Sequence, residues 1–345
     1  MVTSEQVARL AGVSRATVSR ALNGSARVSD EARKRVHAAI ATLGYEPDVV
    51  AQSLVRQRSN VIAVSLFPED NSLPLSHLGR TSQYFYLGVL ENIERELVAR
   101  GYDLLLPSSP HGKSPENYIR SLQTRRIAGV IMLHATEARA QALIHSDIPT
   151  AFIDRVVQGN HVTYVKSDNL DGARQATEHL LSLGHRHIAL LPGQTTDLAG
   201  LERLLGSQQA LAQAGIAPDS GLIRQCGWEV DEAYEAARTL LAERRDFTAI
   251  AAGSDFMAIG ILRALTEHGL SVPEDISLVG FDDIDFCQYT APPLTTVRQD
   301  RLAMGRGAVQ RLITMIEGDE NTSPLILPTQ LIVRHSTGPV PRKVD

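Results

Sequence analysis

Residues 3–23 read TSEQVARLAGVSRATVSRALN, and the spacing of apolar and polar residues in them decides how the chain begins. Val7, Ala8 and Leu10 give a first short helix its apolar face, and Ala11-Gly12-Val13 break it. Ser14 is a good N-cap for a second helix, which carries Arg15, Thr17, Ser19 and Arg20 outward and Ala16, Val18, Ala21 and Leu22 in mixed positions. Two short helices joined by a tight turn make a helix-turn-helix, whose second helix enters the DNA major groove with its early residues toward the base edges. The alternative is a solvated helical hairpin whose arginines face only water.

Outward from this motif, Asn23-Gly24-Ser25 is a turn and Ser29 caps a third helix, with Asp30 and Glu31 suiting its first turn. Ala32, Val36, Ala39, Ile40 and Leu43 form its apolar stripe, and Gly44 ends it. Pro47 opens a short fourth helix through Val49, Val50, Ala51, Leu54 and Val55, and residues 56–60 read as a polar linker. Residues 1–58 hold nine Lys and Arg against five Asp and Glu, a charge of +4, although the whole chain carries −5. A small basic head on an acidic body fits a protein with one DNA-facing end.

At Val61 the texture changes. Apolar runs at 61–67, 102–107, 128–133, 149–154, 187–193, 248–255 and 277–283 alternate with helical patterns near 85–100, 115–125, 138–146, 170–183, 202–215, 231–244, 256–268 and 300–317. Continuous apolar strands separated by helices predict parallel sheets covered on both faces. The units are too many for one sheet, so two α/β lobes are expected, with ligands at the carboxyl ends of the strands. Several of those ends are polar: Asp154, Ser254-Asp255 and Asp282-Asp283.

Cys226 and Cys287 have no metal-ligand spacing and form no disulfide framework, which suggests a reducing compartment. No basic stretch followed by an apolar one opens the chain, so a secretory signal is not expected. No apolar run approaches the ~20 residues that span a bilayer. These features predict a cytoplasmic protein with no membrane partner.

The stretches GVSRATVSRALNG (12–24), VS (28–29), LGYEPD (43–48), AQSL (51–54), SDNLDGARQATEHLLSLGHRHIALLPG (167–193), GSDFMAIGILRALTEHGLSVPEDISLVGFDD (253–283) and PPLTTVRQD (292–300) occur in that order over more than 300 residues. By them the sequence resembles the LacI/GalR family of bacterial transcriptional regulators, the lactose-repressor-like proteins. The resemblance implies an all-α helix-turn-helix headpiece (1–46), a hinge helix and linker (47–59), and an α/β two-lobed core of the type I periplasmic-binding-protein kind (60–340). The chain would cross between lobes three times, lobe 1 holding about 60–165 and 299–326 and lobe 2 about 166–298 and 327–340.

By the same resemblance, Arg15 and Ala16 choose bases. Arg15 suits bidentate contact with guanine, Ala16 can offer only a methyl, and Arg20 matches another base-reading position. Ser14, Thr17, Ser19 and Asn23 suit phosphate oxygens, with capping and surface solvation as the alternative. Leu54 matches the hinge leucine that wedges into the minor groove, the alternative being that it packs its own helix.

In the core, the resemblance implies an effector cleft reached by Arg203, Asp282 and Asp154, with Trp228 where some relatives stack an aromatic on a sugar. Tyr84 and Phe85 match an aromatic pair that opens the first core helix. Arginine, carboxylates and a flat ring suit a polyhydroxylated ligand. Core packing is the alternative for Trp228, and an ion pair with Arg155 the alternative for Asp154. Asp255 and Asp283 are expected to cap helices. Ser254 stands where sugar-responsive members often carry Asn, and the stretch from Pro68 to Arg80 looks longer than the family pattern; both weaken any choice of a particular sugar.

The expected function is a repressor on palindromic operator DNA, controlled by a small-molecule effector, a sugar or sugar derivative, with a purine or nucleoside as the alternative. It needs no cofactor or metal, and it would join the nucleoid when bound to its operator. No GxSxG, P-loop or HExxH motif is present, so an enzyme is not expected. A solute receptor would share the core but lack the head, and a hydrolase would need a nucleophile or metal motif. Pro339 and Pro341 argue against an appended C-terminal helix and no leucine heptad is present, so a homodimer is expected, paired through lobe 1 near 85–100 and 115–125.

Overall fold

The computed structural model describes residues 2–22, 27–45, 59–66, 83–107, 114–133, 135–319 and 322–340. Asn23, Leu54, the expected hinge helix and the stretch 68–80 lie outside them. Contacts divide the chain into one unit of Met1–Asn60 and another of Val61–Asp345.

In the first unit, α1 (Ser4–Ala11), α2 (Arg15–Leu22) and α3 (Asp30–Leu43) enclose a core of Val7, Ala8, Ala11, Val18, Ala21, Val28, Ala32, Val36 and Ala39. Thr3 and Gln6 close a capping box at the start of α1, and Gly12 ends it in the left-handed region at φ 62°. Ser14 Oγ accepts from the Thr17 amide at 3.1 Å, and Ser29 Oγ from that of Ala32 at 3.3 Å. Leu10 departs from the expected apolar face, being 54% exposed. Two residues on from Ala8, it lies about 160° around the helix from it, so α3 covers the Val7–Ala8–Ala11 side instead.

The second unit holds two sheets. The first contains β1 (Val61–Ser65), β2 (Asp103–Leu105), β3 (Gly129–Met132), β4 (Thr150–Ile153), β5 (Val162–Ser167) and β10 (Leu325–Leu327), all parallel in the order β10-β5-β4-β3-β1-β2. Helices α4 (Tyr84–Ala99) and α11 (Arg301–Ile316) bury one face, with Val89, Ile93, Met304 and Leu312 against Ile62, Ile131 and Ile153. Helices α5 (Pro115–Thr124) and α6 (Glu137–Ile144) cover the other, with Tyr118, Leu122 and Leu143 near Phe152.

The second sheet contains β6 (Ile188–Leu191), β7 (Ala249–Ala252), β8 (Ser277–Asp282), β9 (Thr295–Arg298) and β11 (Gln330–Ile332), in the order β11-β9-β8-β7-β6, with only β11 antiparallel. Its faces carry α7 (Asn169–Ser182) with α8 (Leu198–Gln213), and α9 (Val230–Glu243) with α10 (Asp255–Glu267). Both helix pairs touch closely through glycine. A Cβ on Gly206 would lie 2.0 Å from the Leu170 carbonyl oxygen, and one on Gly260 would lie 2.2 Å from that of Val230. The chain passes between the sheets three times: after β5, after β9 and after β10.

Four strands escaped the apolar pattern: β5 (VTYVKS), β9 (TTVR), β10 (LIL) and β11 (QLI). In β9 the buried threonines, and in β5 Lys166, find partners elsewhere in the fold, whereas Thr163 Oγ1 and Ser167 Oγ of β5 are buried without one. Thr296 Oγ1 donates to Asp255, Thr295 Oγ1 accepts from the Arg334 amide at 2.9 Å, and Lys166 pairs with Glu202. His185, wholly buried, has Thr248 Oγ1 at 2.8 Å and Ser277 Oγ at 3.1 Å, a structural pin among the strand entries of the second sheet.

Candidate functional site

The first unit presents α2 with Arg15, Ala16, Ser19 and Arg20 exposed along one side. Burial of Val18 and Ala21 fixes that orientation, since residues three apart share a face and their neighbours turn outward. Ser14 and Thr17 are joined through their hydroxyls at 2.9 Å, which rigidifies the start of the helix. The geometry leaves two guanidinium groups about 1.4 turns apart on the exposed arc of a short, capped helix of the kind that reads the major groove.

In the second unit, the carboxyl ends of both sheets meet at a cleft. Asp154 follows β4 and Asp282 ends β8, both with left-handed backbones (φ 53° and 124°). Such a conformation at a strand end turns the side chain out of the sheet, and aspartate is among the few residues that tolerate it. Arg203 enters from α8 almost wholly buried. Its Nε and Nη2 donate to Asn169 Oδ1 at 3.0 and 2.9 Å, and its Nη1 donates to the Gly253 carbonyl. The guanidinium lies 3.8 Å over the Phe281 ring and 5.5 Å from that of Trp228, with Asp282 Oδ1 at 3.7 Å. Trp228 is half-buried: its Nε1 donates to Asp197 Oδ2 at 2.8 Å while its ring packs against the second-lobe core.

Electrostatics follow from this enclosure. Burial pushes the Asp154 carboxyl up to about 6, against the pull of Arg203 and of hydrogen bonds that include the Tyr86 hydroxyl at 3.4 Å. Burial likewise raises Asp282 to about 6, opposed by Arg203 and by Gln299, whose Nε2 donates at 2.7 Å. Asp154 Oδ1 and Gln299 Oε1 are buried acceptors without a protein partner. Two carboxylates, a fixed guanidinium and unfilled acceptors suit a ligand rich in hydroxyl donors.

The structure therefore brings Asp154, Arg203, Trp228 and Asp282 to one place. Phe85 is elsewhere: it points into the core of the first lobe, and one residue later on α4 Tyr86 reaches Asp154 instead. Tyr84 packs on Phe256 and Phe286 of the second lobe, with ring centroids 5.5 and 5.4 Å apart. Ser254 Oγ caps α10, accepting from the Met257 amide at 3.2 Å.

The expected capping by Asp255 and Asp283 does not occur. Asp255 is buried inside the first turn of α10, accepting from Thr296 and from the Ile284 amide at 2.9 Å, and Asp283 bridges Arg298 and Arg334 at 2.7 and 2.6 Å. Arg155 pairs with Glu137 at 2.7 Å, not with Asp154. Tyr86, Asn169, Gln299, Asp197, Lys166 and Glu202 went unmarked in the sequence. Gln299 and Asn169 had a signal there, within PPLTTVRQD and SDNLDGARQ at lobe crossings.

Residues 4–48 match the family described as bacterial regulatory proteins, lacI family, and residues 177–337 match a periplasmic binding protein-like domain. The transcriptional regulator CelR of Thermobifida fusca is 36% identical over 97% of this chain and 98% of its own length. The chain belongs to the LacI family. The transcriptional repressor PurR of Vibrio atlanticus, 30% identical over 98% of both chains, is a further relative. Among solved structures, a CelR–cellobiose complex superposes with a TM-score of 0.73, at 35% identity over 97% of this chain and 100% of that one. The lac repressor dimer bound to operator and the anti-inducer ONPF gives 0.79, at 31% identity over 98% and 99%. The protein is thus a helix-turn-helix transcriptional regulator of this family, and its relatives are regulators rather than enzymes. Among the described residues, no helix is long and apolar enough to cross a membrane and no cluster could hold a metal.

Proposed function

We propose that this LacI-family chain is a repressor that binds a palindromic operator as a homodimer in the cytoplasm and changes its grip on DNA when a neutral carbohydrate enters the cleft. The observation that carries the choice of ligand is the set of unfilled acceptors around Arg203, Asp154 Oδ1 and Gln299 Oε1, beside the Asp282 carboxylate and an indole. Hydroxyl groups satisfy such acceptors, and an aromatic face covers C–H surface. Cellobiose in the CelR complex supports the same class. Arg15 and Ala16 would read bases, with Arg20 beside them; Ser14, Thr17, Ser19 and Asn23 would hold phosphates, and Leu54 would wedge the minor groove.

Two ligand groups recur in the test. Thermal denaturation of the full-length protein is followed with cellobiose, other neutral sugars, nucleosides and purines. A ligand at a hundredfold excess over its Kd stabilises by about 2.7 kcal/mol. Arg203→Ala and Asp282→Asn should abolish that shift and the release of DNA selected from a random pool, while DNA binding persists. A shift from a purine but from no sugar would replace the carbohydrate reading, and an unchanged ligand Kd in both variants would move the site elsewhere.

A further inference from the structure

A lysine on a central strand next to a ligand cleft needs a reason, because taking an ammonium out of water costs several kcal/mol unless a partner waits for it. Lys166 sits on β5 between β4 and β10, in the first lobe, and only 7% of it is exposed. Its partner is in the other lobe: Nζ donates to Glu202 Oε1 on α8. The Lys166 and Glu202 side chains are 9% and 17% exposed, so the pair is largely shielded.

Glu202 is also wired to the ligand groups. Its Oε2 accepts from Asn169 Nδ2 at 3.4 Å, and Asn169 Oδ1 accepts the two Arg203 hydrogen bonds. Glu202 and Arg203 are consecutive on α8, so a shift of one moves the other. Lys166 thus begins a continuous polar chain through Glu202, Asn169 and Arg203 to Asp282.

Other contacts between the lobes differ in kind. The Arg301–Asp285 pair is 3.5 Å long with Asp285 70% exposed, which makes it weak in water. The Tyr84–Phe256–Phe286 cluster is apolar and tolerates sliding, whereas a shielded ion pair is favourable only at one separation.

We propose that Lys166 and Glu202 form an inter-lobe clasp that fixes the separation of the two lobes and, through Asn169, positions Arg203 at the cleft. They are positioning residues that need not touch the ligand. The clasp itself stands on the protein's own contacts; only its effect on ligand affinity rests on the effector-cleft reading.

Trp228 is the only tryptophan of the chain, and its ring lies 5.5 Å from the Arg203 guanidinium, so its fluorescence reports that region without any ligand. In the full-length protein, acrylamide quenching of Trp228 is measured in Lys166→Met, Glu202→Gln and the double variant, each first shown to unfold cooperatively. Each single variant should raise the quenching constant about twofold or more, and the double variant should be no worse than either single, as for two groups acting through one contact. Cellobiose serves as the ligand probe, and its Kd should weaken about tenfold in each single variant, within the range of coupling measured in one network. If Lys166→Met does not fold, Glu202→Gln, which keeps the shape and loses the charge, carries the test. Quenching that stays at the wild-type value, or effects that add in the double variant, overturns the clasp, whatever happens to the Kd. Raised, non-additive quenching with an unchanged Kd upholds the clasp and overturns its effect on ligand affinity, and the same quenching with no cellobiose binding at all upholds the clasp and overturns cellobiose as the ligand.

Discussion

Replacing Asp154 by Asn should stabilise the core at neutral pH and not in acid. The folded carboxyl titrates near 6 because burial disfavours its charge, against an ordinary value of 3.8. A carboxyl with a raised folded pKa holds its proton more tightly folded than unfolded. Its contribution to stability therefore falls as pH rises from about 4 to about 6 and is level above that. Two units at 1.36 kcal/mol each would give an upper figure of about 3 kcal/mol. Part of Asp154 remains open to the cleft, and screening there reduces the figure to about 1–1.5 kcal/mol. The carboxamide can still accept from Tyr86, and its amino group can occupy the side where Oδ1 has no partner.

For a unit of this size, that gain raises the midpoint by about 2–5 °C. Calorimetry of wild type and Asp154→Asn at pH 4.5, 6.0 and 7.5 should show the gain at 7.5, less at 6.0 and almost none at 4.5. A gain of equal size at pH 4.5 and 7.5 would mean that packing, not charge, is responsible. A loss at pH 7.5 would mean that the Arg203 field outweighs burial, and the electrostatic account of the cleft would fail.

Arg15→Ala should cost about 1–3 kcal/mol per half-site and relax preference at one symmetric pair of positions; equal loss on specific and random DNA in a binding titration would reduce Arg15 to a phosphate contact. Gly206→Ala places a methyl 2.0 Å from the Leu170 carbonyl oxygen and should destabilise the second lobe by about 1–3 kcal/mol or more in urea denaturation, while α2 keeps its helicity. A neutral change there would mean that α7 and α8 separate freely. Light scattering of the full-length protein should give a dimer at micromolar concentration, since one short headpiece offers too little surface for tight specific binding. A tetramer, or a monomer that protects a full palindrome, would contradict the dimer.

The sequence by itself determined the elements whose information is local. Caps at Ser14, Ser29 and Gly44, the alternation of apolar runs with helical stripes, and the shift in charge near residue 58 are all written within a few residues of where they act. They led to a helix-turn-helix followed by two α/β lobes, and family motifs placed Arg203, Asp154, Trp228 and Asp282 near a cleft. What the chain did not disclose was polar burial. Thr296, Lys166 and Asp255 look like surface residues until strands and helices far apart in sequence bring Asp255, Glu202 and the Ile284 amide to them. Phe85 and Tyr86 are adjacent aromatics on one helix, and only the position of the lobe-1 core decides that Phe85 enters it while Tyr86 turns to Asp154. Propensity and periodicity act over a turn or two, but the cost of burying a polar group is offset only by a partner in space. Such partners, and with them the wiring of the cleft, belong to the tertiary structure.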